Sequence, residues 1–379
     1  MLWVDQYRPK TLDNMDYHKP LSKQLKRLIA AGDFPHMLVY GPSGAGKKTR
    51  VMALLREMHG SSVERVKVEH RAFKFGSSAP IELTLLSSVH HIELNPSDAG
   101  VRDRDVVQEL IKEIAQSAPV ITGGESASNH FKVVVLNEVE RLSRAAQHGL
   151  RRTMEKYVGT CRLLLCCTNP SKVIAPIRSR CICLRVAAPT HEEVCGVLAS
   201  VAAKEGLKLP PALAARISKA SDRNLRRALL ALETCKVRPP LPSHFPPTRA
   251  SRPSAGYAHA QVQQYPFSEN QPVQLADWQL FLKETADDVI AEQSPKQLLK
   301  IRAKLYEVLS SCIPPELVMS TLIKALLPRV PQPVRVETLH FAAIYEHRMH
   351  GGQKPVFHLE AFLARFMAIY KRHAVNSFK

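Results

Sequence analysis

Short apolar runs alternate with longer helical patterns over the first half of the chain. The run at 37–40 leads directly into a glycine-rich turn, and a helical pattern then continues to about residue 58. Further apolar runs of strand type follow at 82–86, 89–94, 132–136, 162–167 and 182–186. Between them lie helical patterns, of which 103–117 and 139–157 are the clearest. Strands that alternate with helices of this length predict an α/β domain over 1–188, with a mostly parallel sheet covered by helices on both faces.

After residue 188 the strand-type runs stop. Helical patterns at about 190–205, 211–219 and 222–235 predict a small helical lid domain over 189–236. The next stretch, 237–273, contains eight prolines and a single acid, which is typical of a linker or an insertion. Apolar residues then recur at helical spacing, so we expect an all-α domain over 274–379.

Composition narrows the classes of partner. With 45% hydrophobic residues the chain can bury a core, and no apolar run reaches the roughly 18 residues that cross a bilayer. Lys+Arg 53 against Asp+Glu 34 indicates a polyanionic partner, which could be a nucleic acid, a membrane surface or nucleotide phosphates. Nearly half of the positive excess lies in 141–185, where ten basic side chains accompany one acid, Glu155. Because the positive charge is concentrated within a structured segment, a membrane surface is no longer supported as the partner.

The strongest chemical signal is the segment between the first strand and the first helix. It matches the GxxxxGK pattern of a phosphate-binding loop and comprises Gly41, Pro42, Ser43, Gly44, Ala45, Gly46, Lys47, Lys48 and Thr49. Backbone N–H groups of such a loop surround phosphate oxygens, and Lys47 supplies a positive charge for the β- and γ-phosphates. At position 48 a lysine replaces the Ser or Thr that usually places a hydroxyl on Mg²⁺. Thr49 lies about 100° further round the helix and cannot simply substitute.

A second departure follows the strand at 132–136. Asn137 and Glu138 stand where enzymes with this loop hold the metal and polarise water through an acidic pair. Asn137 is a neutral amide, whereas Glu138 could still act as a residual base. Thr49 and Asn137 are the remaining candidates for the metal side. Because a metal contributes strongly to stabilising a transferring phosphoryl group, the two changes predict nucleotide binding with weak or absent hydrolysis.

Basic side chains form a stripe on the helix predicted at 139–157. A continuous helix from residue 141 places four arginines within one sector of about 100°, namely Arg141, Arg144, Arg151 and Arg152. Like charges on one face repel each other unless an anion meets them, which favours contact with DNA or with a neighbouring subunit. A solvated charged face is the alternative interpretation.

In this order, the motifs resemble those of the small subunits of replication factor C, the eukaryotic sliding-clamp loader within the AAA+ ATPases, and of the subunit 3 type in particular. The matching segments are WVDQYRPK at 3–10, the phosphate loop, VVVLNEVE, LRRTMEKY, CTNPSKVIAPIRSRC, RNLRRALLALET, QQYPF, CIPPE and FHLEAFLARFMAIYK. The resemblance covers most of 1–235 and about 262–375. It implies an AAA+ domain, a lid and a C-terminal collar, with 237–260 as an insertion.

The resemblance also implies roles for individual residues. The adenine pocket would be lined by Val4, Tyr7, Arg8 and Pro9. Asn169 would be the first sensor of the nucleotide, Arg226 in the lid the second, and Arg180 an arginine finger that points into the neighbouring subunit's ATP site. The nucleotide would be ATP or ADP, while Mg²⁺ at this site is left open, since Lys48 and Asn137 are typical of a subunit type regarded as hydrolytically degenerate.

The implied assembly is a heteropentamer with the other replication factor C subunits, in the nucleus, in DNA replication and repair. It would open the sliding clamp, proliferating cell nuclear antigen, and load it onto primer–template DNA. Two alternatives stay open. A self-sufficient AAA+ DNA motor would need the metal-binding hydroxyl and carboxylate that positions 48 and 137 lack, and a structural scaffold would have a vestigial nucleotide site.

Overall fold

The computed structural model describes residues 1–30, 34–73, 81–96, 103–116, 131–237, 267–269, 271–273, 275–352 and 354–377. The chain divides into two units, Met1–Val273 and Gln274–Lys379. The predicted Pro-rich insertion lies outside the described residues, apart from residue 237 and the short stretches at 267–269 and 271–273. The predicted bounds of the individual domains therefore stay predictions.

A seven-stranded sheet forms the centre of the first unit within the described residues. Its strands are β1 Met37–Tyr40, β2 Lys67–Phe73, β3 Ile81–Ser87, β4 His91–Leu94, β5 Lys132–Leu136, β6 Cys161–Cys167 and β7 Ile182–Arg185. They are arranged in the order β2-β3-β4-β5-β6-β1-β7. Strands β4, β5, β6, β1 and β7 pair in parallel, whereas β2, β3 and β4 pair antiparallel. The prediction of a mostly parallel α/β sheet is confirmed, and β2 is an additional strand that the apolar pattern did not indicate.

Helices cover both faces of this sheet. The helices of the first unit, within the described residues, are α1 Trp3–Gln6, α2 Lys19–Ala30, α3 Lys47–His59, α4 Asp103–Gln116, α5 Arg144–Lys156, α6 Ala175–Arg178, α7 His191–Lys204, α8 Pro211–Ala220 and α9 Leu225–Val237. Of these, α2–α6 contribute to the two buried clusters on the faces of the sheet. On one face Leu38 of β1 shares a buried cluster with Leu110 of α4 and Leu150 of α5. On the other face Val39, the next residue of β1, packs with Leu54 of α3. Successive residues of a strand point to opposite faces, so both sides of β1 are buried and its sequence is apolar throughout.

The predicted continuous helix over 139–157 is wrong. Val139–Arg141 form a short 3₁₀ turn, Leu142 is extended (φ −61°, ψ 140°), and α5 begins only at Arg144. Ser143 causes the break because its hydroxyl accepts a hydrogen bond from Ala146 N at 3.1 Å and so caps α5. The carboxylate of Asp103 at the start of α4 holds this cap, accepting from Ser143 N at 2.6 Å. Arg141 is therefore not on the helix that carries the other arginines.

Helices α7–α9 form the lid, as the pattern predicts, and the N-terminal helix α1 packs against them. Thr190 starts α7 with a capping box, in which its side chain and that of Glu193 each bond the other residue's backbone N–H. Trp3 of α1 lies in the buried cluster of Leu198 and Leu232. This packing attaches the segment that follows Trp3 to the lid.

The second unit is all α. Its helices are α10 Asp277–Ala291, α11 Pro295–Ser310, α12 Pro315–Leu326, α13 Gln332–Gly351 and α14 Pro355–Ser377. Their core includes Leu322 of α12 and two fully buried aromatic side chains of α14, Phe362 and Phe366. Over the described parts of both units, no helix combines the length and the apolar character needed to cross a bilayer.

Candidate nucleotide-binding site

The phosphate-binding loop lies at the carboxyl edge of the parallel strands, between β1 and α3. Gly46 has a left-handed backbone (φ 80°, ψ 24°) at the N-terminus of α3, and a Cβ atom there would lie 2.3 Å from the hydroxyl oxygen of Tyr17. The Tyr17 hydroxyl in turn donates to Ala45 O at 3.0 Å. A buried tyrosine thus supports the turn from beneath and makes glycine necessary at position 46.

The lid meets the loop at Gly44. A Cβ atom at this position would lie 1.8 Å from Oδ1 of Asn224, and Gly44 also has a positive φ of 74°. The same oxygen accepts a hydrogen bond from Arg227 N at 3.2 Å, within the first turn of α9. The residue that opens the last lid helix therefore rests on the glycine that would surround the phosphates.

A cavity of about 520 Å³ lies between the N-terminal segment, the loop and the lid. Val4, Tyr7, Arg8 and Pro9, the four residues predicted for adenine, all line it, together with Gly44, Gly46, Thr49 and Arg226. The Tyr7 hydroxyl donates to the carboxylate of Glu205 at 2.6 Å, and this hydrogen bond, with burial, raises the pKa of Tyr7. Glu205 lies at the end of α7, so the lid fixes one wall of the cavity.

A second cavity, of about 320 Å³, lies beside the phosphate-binding loop and is called the phosphate-side cavity below. It shares five lining residues with the first cavity, namely Arg8, Gly44, Gly46, Thr49 and Arg226. Of the predicted residues it adds Ser43, Lys47, Lys48, Asn137 and Glu138. Thr49 thus reaches the site in spite of its offset by one residue. The Lys47 ammonium donates to Gly41 O at 2.7 Å and to Pro42 O at 3.0 Å, and burial lowers its pKa.

Lys48 and Asn137, the two residues that depart from the usual metal site, both bind the same buried carboxylate. Lys48 forms an ion pair with Oε1 of Glu93, and the same oxygen accepts a hydrogen bond from Asn137 Nδ2 at 2.7 Å. Glu93 belongs to β4, and its side chain is only 7% exposed. Strands β4 and β5 pair in parallel, which brings Glu93 level with Val135 and close to Asn137.

AAA+ proteins typically bind a magnesium ion with the nucleotide, but the side chains around Lys48, Glu93 and Asn137 do not fit such an ion. Mg²⁺ requires oxygen ligands and is usually held through one or two carboxylates. Glu93 is already paired with the Lys48 ammonium, and Glu138 is paired with Arg141 at 3.0 Å. Among the residues that the structure describes, no group of three His, Cys, Asp or Glu side chains is placed to hold a metal.

Glu138, the predicted residual base, has an uncommon backbone. Its φ of 52° and ψ of 44° are left-handed, a conformation that costs a residue with a Cβ atom free energy. The carboxylate lines the phosphate-side cavity and pairs with Arg141 three residues later. Arg141, predicted to contact DNA or a neighbour, therefore lies beside the candidate nucleotide site.

Asn169 is not among the residues that line either cavity. Its carboxamide oxygen accepts from Ser171 N at 2.9 Å and caps the short turn that follows β6. The neighbouring Thr168 does line the phosphate-side cavity, and its hydroxyl donates to Glu140 at 2.6 Å. A direct nucleotide contact by Asn169 stays a prediction.

Arg180, the predicted arginine finger, lies away from both cavities, on the exposed segment after α6. Its guanidinium pairs with Glu155 of α5 at 2.6 Å and donates to Pro176 O at 2.8 Å. Glu155 also pairs with Arg151 at 3.3 Å. Burial acts to raise the pKa of Glu155, but the charges of Arg180 and Arg151 outweigh it and lower that pKa.

The remaining arginines of α5 are free of such pairing. Arg144 and Arg152 are exposed and have no ion pair within the described residues. Of the four arginines of the predicted stripe, Arg141 and Arg151 have carboxylate partners. Among the described residues, the positive charge on α5 that has no ion pair is thus carried by Arg144, Arg152 and Lys156.

Sequence reasoning missed Glu93, Tyr17 and Asn224. Glu93 is the single acid in the short strand HIEL, and a carboxylate within a buried strand was the signal that could have found it. Asn224 directly precedes the helical pattern at 225–237, where an asparagine is a typical N-terminal cap. Nothing local distinguishes Tyr17, since its role depends on contact with a glycine 29 positions later.

Three family profiles match the chain. "Replication factor C subunit 3, C-terminal domain" matches residues 278–374, "RCF1/5-like, AAA+ ATPase lid domain" matches 196–237, and "DNA polymerase III, delta subunit" matches 17–190. Replication factor C subunit 3 of Mus musculus is 49% identical over 371 residues, which is 98% of this chain and 96% of that protein. Replication factor C subunit 3 of Arabidopsis thaliana is 49% identical over the full length of both chains. Replication factor C subunit 5 of Neurospora crassa is 44% identical over 99% of each.

Proposed function

Because this chain belongs to the family of replication factor C subunits 3 and 5, we propose that it is one AAA+ subunit of the heteropentameric clamp loader that places the sliding clamp on primer–template DNA with ATP. The observation that carries the proposal is the pair of joined cavities between phosphate loop, N-terminal segment and lid. A nucleotide bound there would have its base beside Val4 and Tyr7 and its phosphates along Gly44–Lys47. The proposed location is the nucleus.

The nucleotide is ATP or ADP, held with weak or absent hydrolysis by this chain. Lys48 and Asn137 occupy the two positions where a hydroxyl and a carboxylate usually hold the metal, and both bind Glu93 instead. The carboxylate of Glu138 is neutralised by Arg141. A general base must lie within hydrogen-bonding reach of the attacking water, and the Glu138 carboxylate is instead engaged by the Arg141 guanidinium.

Arg180 acts outside its own site, as an arginine finger for the neighbouring subunit. It is exposed and remote from this chain's cavities, as a finger that works in trans must be. Guanidinium groups bind phosphate oxygens in bidentate geometry, and fingers supplied by a partner increase turnover by about 10³–10⁵. Arg144 and Arg152 contact the DNA backbone or the neighbour in the same assembly.

The second unit supplies the collar. Several of its apolar side chains are exposed, among them Leu299 and Tyr306 on α11 and Val336 and Leu339 on α13. Residues three or seven positions apart lie on one face of a helix, so each pair forms an apolar strip. Helices of the other subunits would cover these strips in the pentamer.

Reconstitution of the five-subunit complex tests the proposal. Arg180→Ala should lower the rate of ATP hydrolysis at the neighbour's site by about 10³-fold, because the guanidinium that stabilises the transition state is removed. ATP hydrolysis stimulated by clamp and primer–template DNA is the measurement, and gel filtration checks that assembly is retained. Arg178→Ala is the matched control, since Arg178 is also exposed and lies on α6, two residues earlier. Unchanged turnover in Arg180→Ala would contradict the finger role.

A further inference from the structure

Lys48, Glu93 and Asn137 form a closed cluster behind the phosphate-side cavity. Lys48 and Asn137 both line that cavity, whereas Glu93 lies behind them and is almost fully buried. One oxygen of Glu93 binds both partners, the ammonium of Lys48 and Nδ2 of Asn137. The carboxylate thus fixes the end of a lysine side chain that would otherwise have many rotamers.

The cluster carries a cation beside the place where phosphates would lie. Lys48 directly follows Lys47, the phosphate-binding lysine, at the start of α3. Its side chain is 39% exposed and lines the cavity, while its ammonium is paired with Glu93 at the edge of that cavity. An ammonium offers three N–H donors and one positive charge, and phosphate oxygens accept from such donors.

The residues at positions 48 and 137 suit each other. The buried carboxylate of Glu93 needs compensation, which the Lys48 charge and an N–H donor of Asn137 both provide. An aspartate at position 137 would place a second negative charge beside Glu93 and would offer it no donor. A lysine at 48 and an asparagine at 137 therefore belong to one arrangement, in which the protein supplies the cation itself.

We propose that the Lys48 ammonium, held by Glu93 and Asn137, takes the place of the divalent metal ion in nucleotide binding by this chain. The inference rests on the proposed function, because it concerns the phosphates of the nucleotide bound in the same cavity. It identifies the ligand as a nucleoside diphosphate or triphosphate that is free of metal. In this arrangement Lys48 is a ligand-binding residue, and Glu93 and Asn137 position its ammonium.

Calorimetric titration of the purified full-length chain with ADP, in EDTA and in MgCl₂, tests the proposal. The unmodified chain should bind ADP with the same affinity under both conditions. The double variant Lys48→Thr, Asn137→Asp restores a hydroxyl and a carboxylate, and it should bind ADP at least about tenfold more weakly in EDTA than in MgCl₂. Lys23→Met, which removes an exposed lysine from α2, is the control and should behave like the unmodified chain.

A second measurement uses Mn²⁺ as a paramagnetic probe of metal binding. With ADP and the unmodified chain, Mn²⁺ should relax water protons no more strongly than it does with ADP alone, because no metal is retained on the protein. If the unmodified chain binds ADP only with Mg²⁺, or retains Mn²⁺ with ADP, the proposal is overturned while the proposed function stands. If the chain binds ADP under neither condition, the proposed function fails and this inference fails with it. The two titrations of the unmodified chain decide the matter even if the double variant does not fold.

Discussion

Two clusters in the first unit share one design and differ in burial. In each, a glutamate lies between two partners: Glu93 between Lys48 and Asn137, and Glu155 between Arg151 and Arg180. The side chain of Glu93 is 7% exposed, whereas that of Glu155 is 44% exposed. The first cluster lies behind the candidate nucleotide site, and the second lies on the surface of the same unit.

Burial decides how permanent each cluster is. Charges in a protein interior interact more strongly than in water, and a buried carboxylate that loses its partner is left uncompensated. Exposed ion pairs are weak and are screened by salt. We therefore expect Lys48 to stay paired with Glu93, and, in the proposed finger role, Arg180 to exchange Glu155 for a phosphate. The same pairing chemistry gives a structural cation in one place and an exchangeable one in the other.

The largest expected effect comes from removing the cation of the buried cluster. Lys48→Met should lower the free energy of unfolding by about 2 kcal/mol, less than for a fully buried pair because the lysine is partly exposed. Arg180→Met, the same change in the exposed cluster, should leave the urea midpoint unchanged. Chemical denaturation of the full chain measures both. Equal effects in the two variants would remove the distinction between the clusters.

A smaller effect is expected when the carboxylate of the exposed cluster is neutralised. Glu155→Gln in the reconstituted complex should change stimulated ATP hydrolysis by less than about fivefold, because an exposed pair binds Arg180 only weakly. The steady-state rate, compared with that of the Arg180→Ala complex, is the measurement. A loss as large as that of Arg180→Ala would mean that Glu155 positions the finger rather than merely pairing with it.

The smallest effect concerns the arginines of α5 that have no carboxylate partner among the described residues. Replacing Arg144 and Arg152 with Gln should leave stability nearly unchanged, since both are exposed. It should reduce the slope of log affinity for primer–template DNA against log salt by about 0.9 for each phosphate that is no longer neutralised. Titration of the complex with labelled DNA at several salt concentrations measures the slope, with Lys23→Gln as the control. If the slope is retained, the two arginines face a neighbouring subunit or solvent.

The central strands of the parallel part of the sheet could be predicted from the sequence because they are buried on both faces. β1 is a continuous apolar run for that reason, and β5 and β6 are apolar apart from Lys132 and Arg162. β2 could not be found in this way, since most of its side chains are exposed and it is held through its ladder with β3. The break before α5 was missed although Ser143 is a common N-terminal cap, because the arginine periodicity continued across it.

The part of the candidate site that is contiguous in the sequence could be predicted. The loop at 41–49 is contiguous, and its motif indicates its role without any tertiary information. The cluster of Lys48, Glu93 and Asn137 joins residues about 44 positions apart: the pairing of β4 with β5 brings Glu93 close to Asn137, and the start of α3 places Lys48 against the same carboxylate. The sequence showed that positions 48 and 137 were both altered, and the structure supplies the reason why they are altered together.

The contact of Asn224 with Gly44 connects the start of lid helix α9 directly to the phosphate-binding loop. In the proposed function, tightening of the loop around a phosphate would move the residue from which α9 starts, and Arg226 of α9 lines both cavities. Small shifts at a packed contact of this kind become rotations of a whole helical layer. If the proposed function is correct, a nucleotide in the cavity would therefore press on the start of α9 through Gly44 and Asn224, whether or not this chain hydrolyses it.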